Sequence, residues 1–200
     1  MRFCRPAALV LLVVAAPVSL QAGTVVLDFE GFADSASLTT QYPGLSFTNA
    51  TIITAGISLN EFEFPPHSGS NAAFDDGGPI SIAFASPILS FSGFFTHAVP
   101  LTLAAFNASS SQVGSAVSAF SSNLALSGDL GSGPNEFLSV SFASGISSIT
   151  ITGDLAGGSF VLDDATITTA GTSAVPEPNS LLLLLTCTAG GLFALRKQPL

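Results

Sequence analysis

Large apolar residues alternate with small neutral residues through most of this chain. The clearest runs are residues 80–84 (Ile-Ser-Ile-Ala-Phe), 138–142 (Leu-Ser-Val-Ser-Phe) and 149–151 (Ile-Thr-Ile). Successive side chains of a β-strand point to opposite faces, so a period of two predicts strands with one buried face and one small, uncharged outer face. No helical stripe of comparable length occurs between the two ends of the chain.

The alternating segments are short and numerous, and Gly, Pro, Asn or Asp occupies most of the gaps between them. The predicted strands are 24–30, 45–53, 79–85, 88–95, 99–106, 112–120, 136–142, 146–152 and 159–168. Many short strands at such spacing favour an all-β fold, an antiparallel β-sandwich or jelly roll. The sequence therefore predicts one β-domain over residues 23–170.

Positive charge is confined to the two ends of the chain. The four basic residues are Arg2, Arg5, Arg196 and Lys197, whereas the segment 23–175 holds twelve carboxylates. Phosphate backbones are bound by clustered Lys and Arg, so this composition excludes nucleic acid as a partner of the domain. Without organic cations, the carboxylates must be solvated, hydrogen-bonded to backbone N–H groups, or paired with metal ions.

The first 22 residues have the pattern of a secretory signal peptide. Arg2 and Arg5 form a cationic start, and the apolar segment 7–16 follows. Cleavage after Ala22 is predicted, and an uncleaved anchor is the alternative. Cys4 and Cys187 both lie in the end segments, so the domain itself has neither a disulfide nor a thiol nucleophile.

The C-terminal segment has three parts in a fixed order. A short linker, 171–174, precedes Val175-Pro176-Glu177-Pro178, then the uncharged apolar run 180–195, then Arg196-Lys197. As a helix the run extends about 24 Å, against about 30 Å for a hydrocarbon core, so it predicts a short transmembrane helix. The basic pair is the flank that holds such a helix with its C-terminus in the cytoplasm. The alternative is a buried core helix.

This three-part ending, over residues 175–200, resembles the PEP-CTERM sorting signal. The resemblance implies an exosortase-type processing enzyme as a partner and cleavage near the Val-Pro-Glu-Pro box. It also implies that the exported chain is tethered to the inner membrane by its C-terminal helix before processing. The processed protein would then lie at the cell surface or outside the cell, often associated with extracellular polysaccharide.

The central domain is similar to the galactose-binding-like jelly rolls that occur in PEP-CTERM proteins. The residues that carry this resemblance are 27–32 (Leu-Asp-Phe-Glu-Gly-Phe), 42–47 (Tyr-Pro-Gly-Leu-Ser-Phe) and 160–167 (Phe-Val-Leu-Asp-Asp-Ala-Thr-Ile). The resemblance implies a fold and does not imply a specific activity.

Four carboxylates in the first and last predicted strands suggest a calcium site. Asp28 and Glu30 are two positions apart and share a face, whereas Asp163 and Asp164 are predicted to point to opposite faces. If the first and last strands are neighbours, three of these groups converge without a nearby cation. Ca²⁺ takes six to eight oxygen ligands, so a stabilising calcium ion suits the cluster. The alternative is solvated carboxylates at strand ends.

Other polar residues are open to catalytic and structural interpretations. Asp75 and Asp76 precede two glycines and predict a turn rather than a metal loop. Glu61 and Glu63 share a face and are interpreted as exposed carboxylates rather than an acid–base pair. His67 lies in a loop and His97 at a strand end, and neither predicts a metal site. A hydrolase that uses Glu61 or His67 is the least favoured hypothesis.

The sequence therefore predicts an exported, non-enzymatic surface or matrix protein with a calcium-stabilised β-sandwich. The alternative function is a carbohydrate-binding module of low affinity. Sugar-binding faces usually present Trp or Tyr, but the chain has no Trp, and Tyr42 is its one Tyr. The Phe residues alternate along the strands and are predicted to fill the core.

Overall fold

The computed structural model describes residues 23–171, and these form ten β-strands without an α-helix in that range. The strands are β1 (Gly23–Leu27), β2 (Ser37–Leu38), β3 (Leu45–Thr48), β4 (Ala50–Thr54), β5 (Asn71–Asp75), β6 (Ile80–His97), β7 (Thr102–Phe106), β8 (Gln112–Val117), β9 (Glu136–Thr152) and β10 (Phe160–Thr169). Every pairing between them is antiparallel. The prediction of an all-β antiparallel fold is confirmed, and jelly-roll connectivity stays a prediction.

Two long strands, β6 and β9, connect the parts of the sheet. The strand order is β2-β4-β5-β10-β6-β9-β7-β8, with β1 paired to β10 and β3 paired to β6. The register between β6 and β9 shifts on both sides of Ile88, where β-bulges bend the pair. The two halves of β6 and β9 face one another across a single core, which is consistent with a β-sandwich.

The core contains the alternating apolar residues that the sequence pattern marks. Phe91 and Phe95 from one half of β6 belong to the same buried cluster as Ile80 and Ile82 from the other half. Opposite them, β9 contributes Leu138, Val140, Ile149 and Ile151. A second, smaller cluster around Leu59 and Val161 lies on the other face of β10.

Several predicted strand boundaries are corrected by the structure. The predicted pair 79–85 and 88–95 is one strand, β6, and the pair 136–142 and 146–152 is one strand, β9. Pro87 and Gly145 interrupt the sequence pattern, but they lie at the bulged bend, where the backbone continues without regular pairing. The predicted strand 45–53 is divided at Asn49, which has a φ of 58°.

Residues Ala22–Ala170 form one compact unit. Its buried apolar residues run from Leu27 to Ile167, and its two ends pair with each other in β1 and β10. A unit with a complete core and joined ends is expected to fold as an independent domain. The neighbouring position of the first and last strands, on which the calcium hypothesis depends, is confirmed. The prediction that Asp28 and Glu30 share a face of the first strand is wrong, because β1 ends at Leu27 and both residues follow it.

The predictions for both ends of the chain concern residues outside the described range. They are the signal peptide 1–22, the linker 171–174 beyond Gly171, the sorting signal 175–200 and its helix 180–195. Within residues 23–171, the structure has no candidate for a membrane-spanning helix.

Candidate functional site

The carboxylates of the domain accept hydrogen bonds from backbone amides in place of pairing with Lys or Arg. Pairs of backbone N–H groups donate to one carboxylate at Glu63 (from Leu126 and Ser127), Asp129 (from Ser121 and Ser122) and Asp75 (from Ser159 and Phe160). Hydrogen bonds to a charged acceptor are stronger than neutral ones, so each carboxylate fixes a loop to a neighbouring part of the chain.

Three of the four predicted calcium ligands bind one short segment, residues 67–71. The Oε1 atom of Glu30 accepts from the N–H of Ser70 at 2.8 Å and from that of Asn71 at 2.7 Å. The N–H of Ser68 donates to Oδ2 of Asp163 at 2.8 Å. At Gly69, with a φ of +53°, an added Cβ would lie 2.3 Å from the Glu30 carboxylate. We call residues 67–71 the clamped loop.

The expectation that Asp163 and Asp164 point to opposite faces is wrong. Both carboxylates bind Ser68, since its N–H donates to Asp163 and its hydroxyl donates to Oδ1 of Asp164 at 3.0 Å. A register shift follows Asp163, and Asp164 has a φ of 45°. This bulge adds a residue to the strand, so both side chains lie on the outer face of the sheet.

The fourth predicted ligand, Asp28, accepts only a local hydrogen bond, from the N–H of Glu30 at 3.3 Å. Within residues 23–171, no three His, Cys, Asp or Glu side chains converge in a geometry that would hold a metal ion. Calcium stabilisation at Asp28, Glu30, Asp163 and Asp164 stays a prediction of the sequence. It requires a higher melting temperature in calcium than in chelator, and an unchanged temperature would remove it.

Asp163 is almost fully buried beneath the clamped loop, with 1% of its surface exposed. Desolvation by burial raises the pKa of Asp163 to about 6, against the opposing effect of its hydrogen bonds from the Ser68 and Asp164 backbones. The folded domain therefore binds this proton more tightly than the unfolded chain, in which an Asp has a pKa of 3.8.

This raised pKa gives stability a predictable dependence on pH. The extra stability from protonated Asp163 is complete below pH 3.8 and is lost as the pH rises through about 6. Relative to pH 7, we expect the wild-type domain at pH 5 to gain about 1 kcal/mol that the Asp163→Asn variant does not gain. Urea unfolding of both proteins at the two pH values measures the difference. Equal pH dependence in both proteins would contradict the assignment.

His67 is held as a flat ring at the edge of the clamped loop. Its Nδ1–H donates to Oδ2 of Asp164 at 2.6 Å. Its ring is parallel to that of Phe94, with an interplanar angle of 6° and centroids 3.5 Å apart. Phe94 covers one face of this ring, and 36% of the His67 side chain is exposed. In the neutral ring Nε2 is a hydrogen-bond acceptor.

Together with His67, the rings of Phe94 and Phe137 form a row that crosses two strands. They are direct cross-strand partners in β6 and β9, with centroids 5.3 Å apart and an interplanar angle of 56°. Phe91 and Phe95 point into the core, so Phe94 points to the outer face. Phe137 is 55% exposed. We call His67, Phe94 and Phe137 the aromatic row.

Two rows of hydroxyl side chains lie on the same face, next to the aromatic row. The pairing of β10, β6 and β9 places Thr166, Ser92 and Ser139 in one row and Thr168, Ser90 and Ser141 in the next. Directly paired residues of antiparallel strands share a face. These six residues are exposed or partly exposed, and we call them the hydroxyl rows.

The other candidate residues predicted from the sequence make structural contacts away from the aromatic and hydroxyl rows. Glu61 accepts from the N–H of Gly56 and Glu63 from Leu126 and Ser127, so they are fixed in separate contacts and do not pair. The turn predicted at residues 75 and 76 is wrong for Asp75, which ends β5 and is fully buried.

His97 ends β6, in agreement with its predicted position at a strand end, and it is fully buried. Its two ring nitrogens lie 2.9 Å from the Val99 carbonyl oxygen and 3.1 Å from Oε2 of Glu136. His67 also has a carboxylate partner, as a catalytic base would. Within the described range, however, no hydrogen bond connects its Nε2 to a nucleophile.

Two small depressions elsewhere have apolar linings. One, of about 190 Å³, lies between Val25, Leu45 and Ile167, and the other, of about 180 Å³, lies between Leu59, Phe64 and Val161. Neither is lined by a titratable side chain. They therefore offer fewer polar groups for orienting a ligand than the outer face with its aromatic and hydroxyl rows.

A comparison with protein-family models finds no match, and a comparison with curated proteins finds none either. Among solved structures, the chain is similar to a family 29 carbohydrate-binding module complexed with cellulohexaose, at 13% identity and a TM-score of 0.40, covering 74% of this chain and 92% of the other. A family 11 module from Clostridium thermocellum, in complex with a β-1,3-1,4-mixed-linked tetrasaccharide, has 13% identity and a TM-score of 0.33, covering 74% and 96%. Values this low assign neither a ligand nor an activity to this chain.

Proposed function

We propose that residues 23–171 are a non-catalytic carbohydrate-binding module whose binding face is the aromatic row with the adjoining hydroxyl rows. The observation that carries this proposal is the His67 ring, stacked flat on Phe94 and fixed by Asp164, beside the exposed Phe137. Contiguous exposed apolar surface rimmed by polar residues is typical of binding sites.

The chemistry of the face suits a polyhydroxyl ligand. A sugar ring has an apolar C–H face and polar hydroxyl edges, and flat aromatic rings bury the former while Ser and Thr hydroxyls bond the latter. The His67 ring is held by a hydrogen bond and a stacking contact before the ligand arrives. Such preorganisation lowers the entropy cost of binding. No charged catalytic group takes part in this scheme.

The two end segments of the chain indicate the cellular location in which this module acts. The signal peptide 1–22 and the PEP-CTERM-like segment 175–200 are those of a protein that is exported, processed by an exosortase-type enzyme and released to the cell surface or the extracellular matrix. Extracellular polysaccharide would be the ligand available there. Replacing Glu177 with Ala in the Val-Pro-Glu-Pro box is expected to leave an unprocessed, membrane-bound precursor, which immunoblots of cell fractions would detect. Unchanged processing would contradict this part of the proposal.

Loss of either exposed ring is expected to weaken glycan binding at least tenfold. Phe137→Ala and His67→Ala each remove an aromatic face that a sugar would cover, and central aromatic contacts commonly contribute about 2 kcal/mol, which is more than tenfold in affinity. Affinity electrophoresis of the Ala22–Ala170 unit in gels with embedded polysaccharides measures this effect. Phe62→Ala is the matched control, since Phe62 is 70% exposed and makes no ring contact within the described range. Equal retardation of all three variants and the wild type would contradict the assignment.

A further inference from the structure

Around the proposed binding face, the charged side chains are all negative and the other side chains are neutral. The titratable side chains on β6, β9 and β10 are His97, Glu136, Asp163 and Asp164, and His67 joins them from the clamped loop. Asp163 and His97 are buried, and Asp164 is bound to His67 and Ser68. The segment 23–171 contributes twelve carboxylates and neither Lys nor Arg.

Acidic sugars need a positively charged partner, and the side chains of this face include neither Lys nor Arg. Uronate, sulfate and phosphate groups are recognised by Arg, Lys or bound metal ions, which compensate for the loss of their hydration. Approach of an anionic polymer to a domain with twelve carboxylates and neither Lys nor Arg is also opposed at long range, and added salt screens this repulsion. An uncharged glycan meets neither obstacle.

We propose that the face formed by the aromatic row and the hydroxyl rows binds uncharged glycan chains and discriminates against chains with uronate, sulfate or phosphate groups. This inference rests on the proposed carbohydrate-binding function and names its ligand class. Specificity here comes from an unfavourable interaction with the wrong ligand as well as from contacts with the right one.

The geometry also indicates how such a chain lies on the protein. Rows two residues apart along a strand are separated by about 7 Å, so the face extends roughly 14 Å from Phe94 to Ser90. That length exceeds a single sugar ring, and the hydroxyl rows are an open sheet surface rather than a closed pocket. The protein therefore contacts several consecutive sugars of a chain, the first against the aromatic row and the following ones against hydroxyls.

The test compares ligands that differ in charge and share a backbone. The Ala22–Ala170 unit is run in affinity gels with β-glucan, mannan and galactan, each in native form and after oxidation of its C6 hydroxyls to carboxylates. At low salt we expect binding of at least one native polymer and at least tenfold weaker binding of its oxidised form. The difference should shrink in high salt, because ions screen the repulsion.

A designed variant tests the cause of the discrimination. Ser139→Lys places a cation in the first hydroxyl row, and we expect it to increase retardation by the oxidised polymer at low salt. Equal binding of native and oxidised forms by the wild type would overturn the neutral-glycan inference and leave the carbohydrate-binding function in place. Preferential binding of the oxidised form, with or without calcium, would also overturn it. Failure to bind any native or oxidised polymer would contradict the proposed function itself.

Discussion

Replacing Asp75 with Ala is expected to lower the free energy of unfolding by about 4 kcal/mol, the largest effect of any single polar substitution considered for this domain. Asp75 is fully buried, and its Oδ1 accepts from the N–H groups of Ser159 at 2.8 Å and Phe160 at 2.9 Å. Its Oδ2 accepts from the Ser159 hydroxyl at 2.7 Å. The variant would leave all three donors without this acceptor inside the protein.

Two further variants isolate the cause of this loss. Asp75→Asn keeps one carbonyl oxygen for the two N–H groups, so we expect it to cost less than half as much as Asp75→Ala. The neighbouring Asp76 is exposed, and Asp76→Ala removes only its bond from the Thr51 hydroxyl, which predicts a loss below about 1 kcal/mol. Urea unfolding followed by circular dichroism measures all three. A cost for Asp75→Ala as small as that for Asp76→Ala would contradict the assigned role.

The second large effect is expected at Glu136, which supports a buried histidine. His97 is fully buried, and the Val99 carbonyl can only accept, so Nδ1 carries a proton. The Nε2 atom then faces Oε2 of Glu136, while Oε1 accepts from the N–H of Ala119 at 2.8 Å. Glu136→Ala would leave Nε2 buried without a partner, and we expect a loss of about 3 kcal/mol in the free energy of unfolding.

The conservative variant Glu136→Gln separates the hydrogen bonds from the charge. Its amide N–H₂ can donate to Nε2 of a neutral His97, and its oxygen can still accept from Ala119. We therefore expect Glu136→Gln to retain most of the wild-type stability that Glu136→Ala loses. Equal destabilisation by the Ala and Gln variants at pH 8 would show that the side-chain amide does not replace these bonds.

The sequence predicts those strands whose burial shows in the local alternation of apolar and small residues. Alternation of apolar and small residues identified the segments of β6, β9 and β10, because one-sided burial imposes that period on a strand. The alternation does not predict strand β5, since Asn, Ala and Asp, which are depleted in strands, make up four of its five residues. Asp75 is buried because its carboxylate accepts hydrogen bonds from the backbone N–H groups of Ser159 and Phe160, about 84 positions away. No local sequence pattern records that contact.

The binding face was missed for a related reason, although the sequence holds part of the signal. Phe94 and Phe95 are consecutive in one strand, and so are Phe137 and Leu138, so one member of each pair must face away from the core. Alternation from the core positions Phe91 and Val140 assigns Phe94 and Phe137 to the outer face. The stacking of His67 on Phe94 depends on Asp164, 97 positions from His67, and the structure alone shows it.

The most direct test of the proposed function is a map of the residues that a glycan touches. The ¹H–¹⁵N spectrum of the Ala22–Ala170 unit is followed during titration with oligosaccharides of the native polymer that binds best in gels. The account predicts shifts concentrated at His67, Phe94, Phe137 and the hydroxyl rows, and loss of these shifts in Phe137→Ala. Shifts confined to the apolar depression at Val25 and Ile167, or to the loops around Phe62 and Leu126, would contradict it.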